Sequence, residues 1–123
     1  MSSKDKADHQ EWVGSIIDIA GNQVDLVMPR ADQFDIEVIG HALGMVCRFG
    51  GHVPHHYSVA EHSVRVMRQV GHMPYKTQLA ALLHDAAEAY IGDIVRPLKR
   101  TQPLGDAYCD IEDEINKTMI PHL

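Results

Sequence analysis

The chain has 123 residues, 45% of them hydrophobic, and a formal net charge of −6, which leaves room for one domain and one core. The acidic balance argues against unspecific binding to nucleic acid, no run is long and apolar enough to span a bilayer, and two cysteines are too few for a disulfide scaffold. A local pocket of arginine and metal can still hold a small anion against the net field.

Residues 1–10 are polar and mixed in charge, read as a disordered lead-in without the apolar core of a signal peptide, so the expected location is cytoplasmic. Residues 11–123 form the expected domain. Val13 to Ile19 and the alternating Gln23 to Met28, joined by Ala20-Gly21-Asn22, predict a short β-hairpin that Pro29 ends. A first helix is expected from Ile36 to Arg48, because Ile36, Ile39, Leu43 and Val46 recur at helical spacing. Asp35 stands near its start and Gly50-Gly51 stop it, with Cys47 on its buried face. Gly50 to Tyr57 reads as a loop. Ser58-Val59-Ala60-Glu61 is a capping box for a second helix reaching about Gly71. A third helix starts at Pro74 or Tyr75, continues to Ile91 and stops at Gly92. After a turn from Gly92 to Pro97, a last helix begins near Leu104, with Leu104, Tyr108, Ile111, Ile115 and Met119 along one face. Asp106, Asp110, Glu112, Asp113 and Glu114 read as its solvated face. There is no internal repeat.

The chemistry concentrates in Leu79-Ala80-Ala81-Leu82-Leu83-His84-Asp85-Ala86-Ala87-Glu88. An imidazole and a carboxylate follow an apolar run, and such groups are costly to bury unless paired or metal-bound. Glu88 falls one helical turn after His84, Asp93 lies just past Gly92, and His62 lies on a separate helix. Imidazole nitrogen and carboxylate oxygen together suit a divalent transition ion such as Mn, Fe, Co or Zn. The alternative is a core histidine bonded to a backbone carbonyl, with Asp85 paired to a neighbour. Glu88 could equally be a solvated helix residue, Asp93 a turn stabiliser and Arg48 a surface group. His55 and His56 read as exposed loop residues, and His52 is open. No His-Glu-x-x-His is present and no Gly-Lys-Ser/Thr follows Gly50-Gly51, which excludes the zincin and phosphate-loop patterns. A Cys-His nucleophile is disfavoured, because Cys47 falls on an apolar face and Cys109 in an acidic helix.

Tyr57-Ser58-Val59-Ala60-Glu61-His62-Ser63 and Leu83-His84-Asp85-Ala86-Ala87-Glu88-Ala89-Tyr90-Ile91-Gly92-Asp93 resemble the HD-domain phosphohydrolases. The likeness is to their nucleotidase branch, which includes bacterial 5′-deoxynucleotidases and phage and prophage HD nucleotide hydrolases. Pro29-Arg30 with Phe34-Asp35-Ile36, Cys47-Arg48-Phe49-Gly50-Gly51-His52 and Arg96-Pro97-Leu98-Lys99 extend it over most of residues 12–120. The resemblance implies an all-α HD core with the hairpin as an elaboration. It makes His62, His84 and Asp85 three of four protein ligands of one divalent metal, and puts Glu88 and Asp93 at the reacting phosphate. Arg48 matches the arginine that contacts the substrate phosphate, and Phe49 an aromatic residue beside it. Trp12 is a candidate to stack on a base. The implied activity is metal-dependent hydrolysis of nucleotides, with deoxynucleoside 5′-monophosphates as substrates. The alternatives are release of triphosphate from deoxynucleoside triphosphates, or a non-catalytic nucleotide-binding remnant.

One departure from the family pattern stands out. Its fourth metal ligand is an Asp on a later helix, whereas this sequence ends at Leu123, 38 residues past Asp85. The chain is therefore expected to lack the family's C-terminal helices. The resulting expectations are weaker metal binding by three protein ligands and exposed apolar surface that favours a homo-oligomer.

Overall fold

The computed structural model describes residues 13–123, which are mostly helical with one small hairpin. The expectations for residues 1–10 and for Trp12 lie outside the described residues. Strands β1 (Ser15–Ile17) and β2 (Gln23–Asp25) pair antiparallel, with Ile16 opposite Val24. The Asp18 carboxylate accepts from the Ala20 and Asn22 amides, both at 2.9 Å, and Gly21 takes the left-handed φ of 87° that closes the turn. The second strand is shorter than its alternation suggests. Asp25 accepts from Val27 and Met28 at 3.0 and 2.9 Å, which curls the chain away before Pro29. Val24 is buried in the core.

Helix α1 (Ile36–Met45) starts as expected, with Asp35 accepting from the Glu37 amide at 2.8 Å. It ends before Arg48, however. Val46 is extended, Cys47 bridges Ser58, the Val59 amide donates to Val46 at 2.9 Å and the Arg48 amide to Tyr57 at 2.8 Å. These strand-like bonds to a distant segment replace another helical turn. Gly50-Gly51 therefore do not stop α1, and Cys47 is half-buried in the bridge instead of on a helix face.

Helix α2 (Val59–Gln69) begins at Ser58, whose hydroxyl accepts from the Glu61 amide at 3.0 Å. The Glu61 carboxylate faces Arg65 at 3.4 Å. The expected third helix is interrupted: α3 (Tyr75–Leu83) and α4 (Glu88–Ile91) flank a turn at residues 84–87. His84 Nδ1 lies 2.6 Å from the Ala81 carbonyl, the acceptor that a continuing helix would offer to the Asp85 amide. The turn then closes by i→i−3 bonds, from Ala86 to Leu83 and from Glu88 to Asp85, both at 3.0 Å. Ala86 and Ala87 are buried, so their small side chains let this turn run close against the core.

Helix α5 (Arg96–Lys99) leads to α6 (Leu104–Met119) and a final 3-10 turn, Ile120–His122. On α6, Tyr108, Ile115 and Met119 are buried as the pattern suggests, while Leu104 and Ile111 are 50% and 37% exposed. The inward face carries Gly105 and Glu112 instead. Ile39, Val59, Ile115 and Met119 sit at the centre of the core, each side chain contributing about 1.5–3 kcal/mol by burial. No helix of the described residues is long and apolar enough to cross a membrane.

Candidate functional site

The two segments singled out in the sequence meet. Helix α2 presents His62, and the turn after α3 presents His84 and Asp85. Asp85 Oδ2 lies 2.9 Å from His84 Nε2 and 3.5 Å from His62 Nε2, and the imidazoles stand edge to face at 5.5 Å between centroids. One donor atom from each of the three residues falls within 4.8 Å of the others.

The tautomer of His84 follows from its partner. The Ala81 carbonyl can only accept, so neutral His84 carries its proton on Nδ1 and turns the lone pair of Nε2 toward Asp85. His62 is held below its ordinary pKa, first by burial and next by Arg48, which favours neutral imidazole. The His84 Nε2, the Asp85 carboxylate and the His62 Nε2 thus face one another, an arrangement a cation can bridge. Ligands ~2.1 Å from one ion sit ~3.0–3.4 Å apart at right-angle to tetrahedral geometry. The two separations to Asp85 lie close to that range, so the group could hold a divalent ion. The carbonyl bond of the alternative core-histidine reading is real, yet the His84 side chain is 40% exposed; the bond orients the ring toward the group.

A cleft of about 530 Å³ opens over this group, within the size range of small-molecule sites. Arg48, Phe49, His62, His84, Asp85, Glu88 and Asp93 all line it. Trp12, the remaining sequence candidate, lies outside the described residues. His52, His55 and His56 are exposed, and His56 contacts the Gly44 carbonyl at 2.9 Å.

Glu88 is not a solvated helix residue. It is 3% exposed, and its carboxyl is pushed up to about 9 by burial, then by the Asp85 charge, a hydrogen bond with Asp93 and the Asp93 charge. Without a cation, Glu88 is protonated at neutral pH. Arg48 starts the 3-10 turn Arg48–Gly51, with its guanidinium 4.6 Å from the Phe49 ring centroid and 5.3 Å from that of Tyr57. Phe49 adopts φ 58°, ψ 31°, a left-handed conformation costing a side chain roughly 1–2 kcal/mol. In that conformation Phe49 is 54% exposed and lines the cleft.

Sequence reasoning missed the opposite contribution of α5 and α6. Arg96 and Lys99 line the cleft but carried no role in the sequence reading. Glu112, read as solvated, is half-buried and pairs with Lys99 at 3.8 Å, and its carboxyl is raised above the ordinary range chiefly by burial. The Tyr108 hydroxyl donates to the Gly92 carbonyl, next to Asp93. The signal was present in the spacing: Tyr108, Glu112, Ile115 and Met119 share one helical face, which the apolar Leu104 and Ile111 obscured.

Two known proteins are similar to the chain. The uncharacterized protein YfdR of Escherichia coli is 46% identical over 72 residues, covering 58% of this chain and 39% of that protein. The uncharacterized protein RCAP_rcc00048 of Rhodobacter capsulatus is 36% identical over 103 residues, covering 79% of this chain and 52% of that protein. The chain thus spans about half the length of these relatives, or less. No family model matches it.

Proposed function

We propose that the chain is a metal-dependent phosphohydrolase of the HD type that acts on nucleotides, with deoxynucleoside 5′-monophosphates as preferred substrates. The observation that carries this reading is the meeting of His62, His84 and Asp85 donor atoms in the wall of a cleft that also holds Arg48, Glu88 and Asp93. His62, His84 and Asp85 would hold the ion, which when bound lowers the pKa of water and polarises phosphoryl oxygens.

The chain's own groups supply the rest. Arg48 offers two parallel N–H donors to the phosphate, and the rings of Phe49 and Tyr57 beside its guanidinium limit its rotamers. Glu88 and Asp93 share a hydrogen bond, so the pair can hold one proton and pass it at the reacting phosphate. The exposed Phe49 ring gives a base a face to stack on.

The test is metal analysis together with phosphate release from a panel of deoxynucleotides, for the chain and for Asp85→Ala. The expected result is loss of bound metal and a drop in turnover of at least about 100-fold, comparable to removing a main electrostatic contributor at an active site. Metal-dependent turnover that survives Asp85→Ala sinks the proposed site. Inorganic phosphate as product supports the monophosphatase, and triphosphate as product replaces it with the triphosphohydrolase.

A further inference from the structure

Lys99 ends α5 on the cleft wall, while Arg48 reaches the same cleft from the turn after α1. The Lys99 side chain is 24% exposed and its only acidic contact among the described residues is Glu112, itself 21% exposed, at 3.8 Å. That distance allows Coulomb attraction but exceeds hydrogen-bonding range, so the ammonium protons are not committed to Glu112. The Tyr108 ring lies 5.1 Å from Nζ and supplies a further weak hold on the cation. The backbone is pinned as well. A Cβ on Gly105 would stand 2.0 Å from the Lys99 carbonyl oxygen, so α6 packs directly on the residue that carries the amine.

A half-buried ammonium needs a counter-charge, and a carboxylate beside an anion site is unfavourable unless it balances that ammonium when the site is empty. We propose that Lys99 is a second phosphate-binding residue, held by Glu112 in the empty cleft and transferred to a terminal phosphate oxygen of the substrate on binding. This rests on the phosphohydrolase reading above. A phosphate monoester has three terminal oxygens, and the fork of Arg48 engages two. Lys99 provides a donor for the third from a different element, so both the turn after α1 and α5 report on whether a phosphate is seated.

The experiment measures binding of inorganic phosphate by calorimetry, and KM and kcat for a deoxynucleoside monophosphate, in Mn²⁺-loaded protein. Lys99→Met is expected to raise the phosphate Kd and KM about tenfold or more, the scale of one charge-assisted hydrogen bond, with a smaller change in kcat. Lys99→Arg should retain most of the affinity. Glu112→Gln should tighten phosphate binding a few-fold, because it frees the amine. The double variant Lys99→Met with Glu112→Gln removes both charges, guards against a misfolded single variant, and should bind as weakly as Lys99→Met. Wild-type affinity in a folded Lys99→Met protein overturns the proposal, as does weakened binding in Glu112→Gln. Unchanged Lys99→Met kinetics in an enzyme that turns over overturns this assignment alone. Metal-loaded wild-type protein that neither binds nor releases phosphate overturns the phosphohydrolase reading with it.

Discussion

Glu88, 3% exposed beside the carboxylates of Asp85 and Asp93, illustrates how position and state come from different sources. Its distance from His84 was readable in the sequence; its burial was not. The folded carboxyl titrates at about 9 against an ordinary 4.5. Between those values the folded chain holds a proton that the unfolded chain has released. Stability of the metal-free protein therefore falls as pH rises through this window. Glu88→Gln mimics the protonated form, and is expected to raise the Tm of metal-free protein at pH 8 by about 4 °C, with a smaller gain at pH 5, while abolishing most turnover. Thermal melts at the two pH values check this; equal gains at both would refute the buried-proton account. A divalent ion beside Asp85 favours the ionised form, so metal binding should release protons near pH 8.

Between residue and fold, α6 acts as a brace for the segment from Gly92 to Lys99. Gly105, Tyr108 and Glu112 occupy one face and meet the Lys99 backbone, the Gly92 carbonyl and the Lys99 amine in turn. Gly105→Ala must push α6 off α5, and should cost roughly 2–3 kcal/mol in denaturant unfolding, as overpacking a tight contact does. Tyr108→Phe removes one hydrogen bond, expected to cost about 1 kcal/mol. It should lower kcat through the Asp93 loop while metal content stays at the wild-type level. A Tyr108→Phe protein with full kcat would show that this bond does not position Asp93. The break between α3 and α4 is the other element-level device. His84 takes the Ala81 carbonyl, and the turn it opens brings Asp85 toward His62 on α2.

On the scale of the whole molecule, the candidate metal group ties α2 to the turn after α3. An ion that binds only the folded chain stabilises it by about 2.7 kcal/mol at a free concentration 100 times its Kd. Thermal melts with added Mn²⁺ should therefore rise by several degrees, return to baseline with a chelator, and show no metal effect in Asp85→Ala. A metal-dependent shift that persists in Asp85→Ala would place the ion elsewhere.

The amino-acid sequence determined what depends on near neighbours. Asp35 and Ser58 cap their helices, Gly21 closes the hairpin turn, and His62, His84 and Asp85 stood out as candidate ligands by type and spacing, while Glu88 and Asp93 gained a role only through the family resemblance. Tertiary structure alone decided where α1 ends, where the third helical pattern breaks, and which face of α6 turns inward. In the first case the competing partner is remote: Ser58, Tyr57 and Val59 capture the end of α1. In the others, an imidazole takes a backbone acceptor, and Lys99 and the core draw Glu112 inward alongside Ile115. Local propensity sets which elements start; contacts between distant segments set where they stop and what they face.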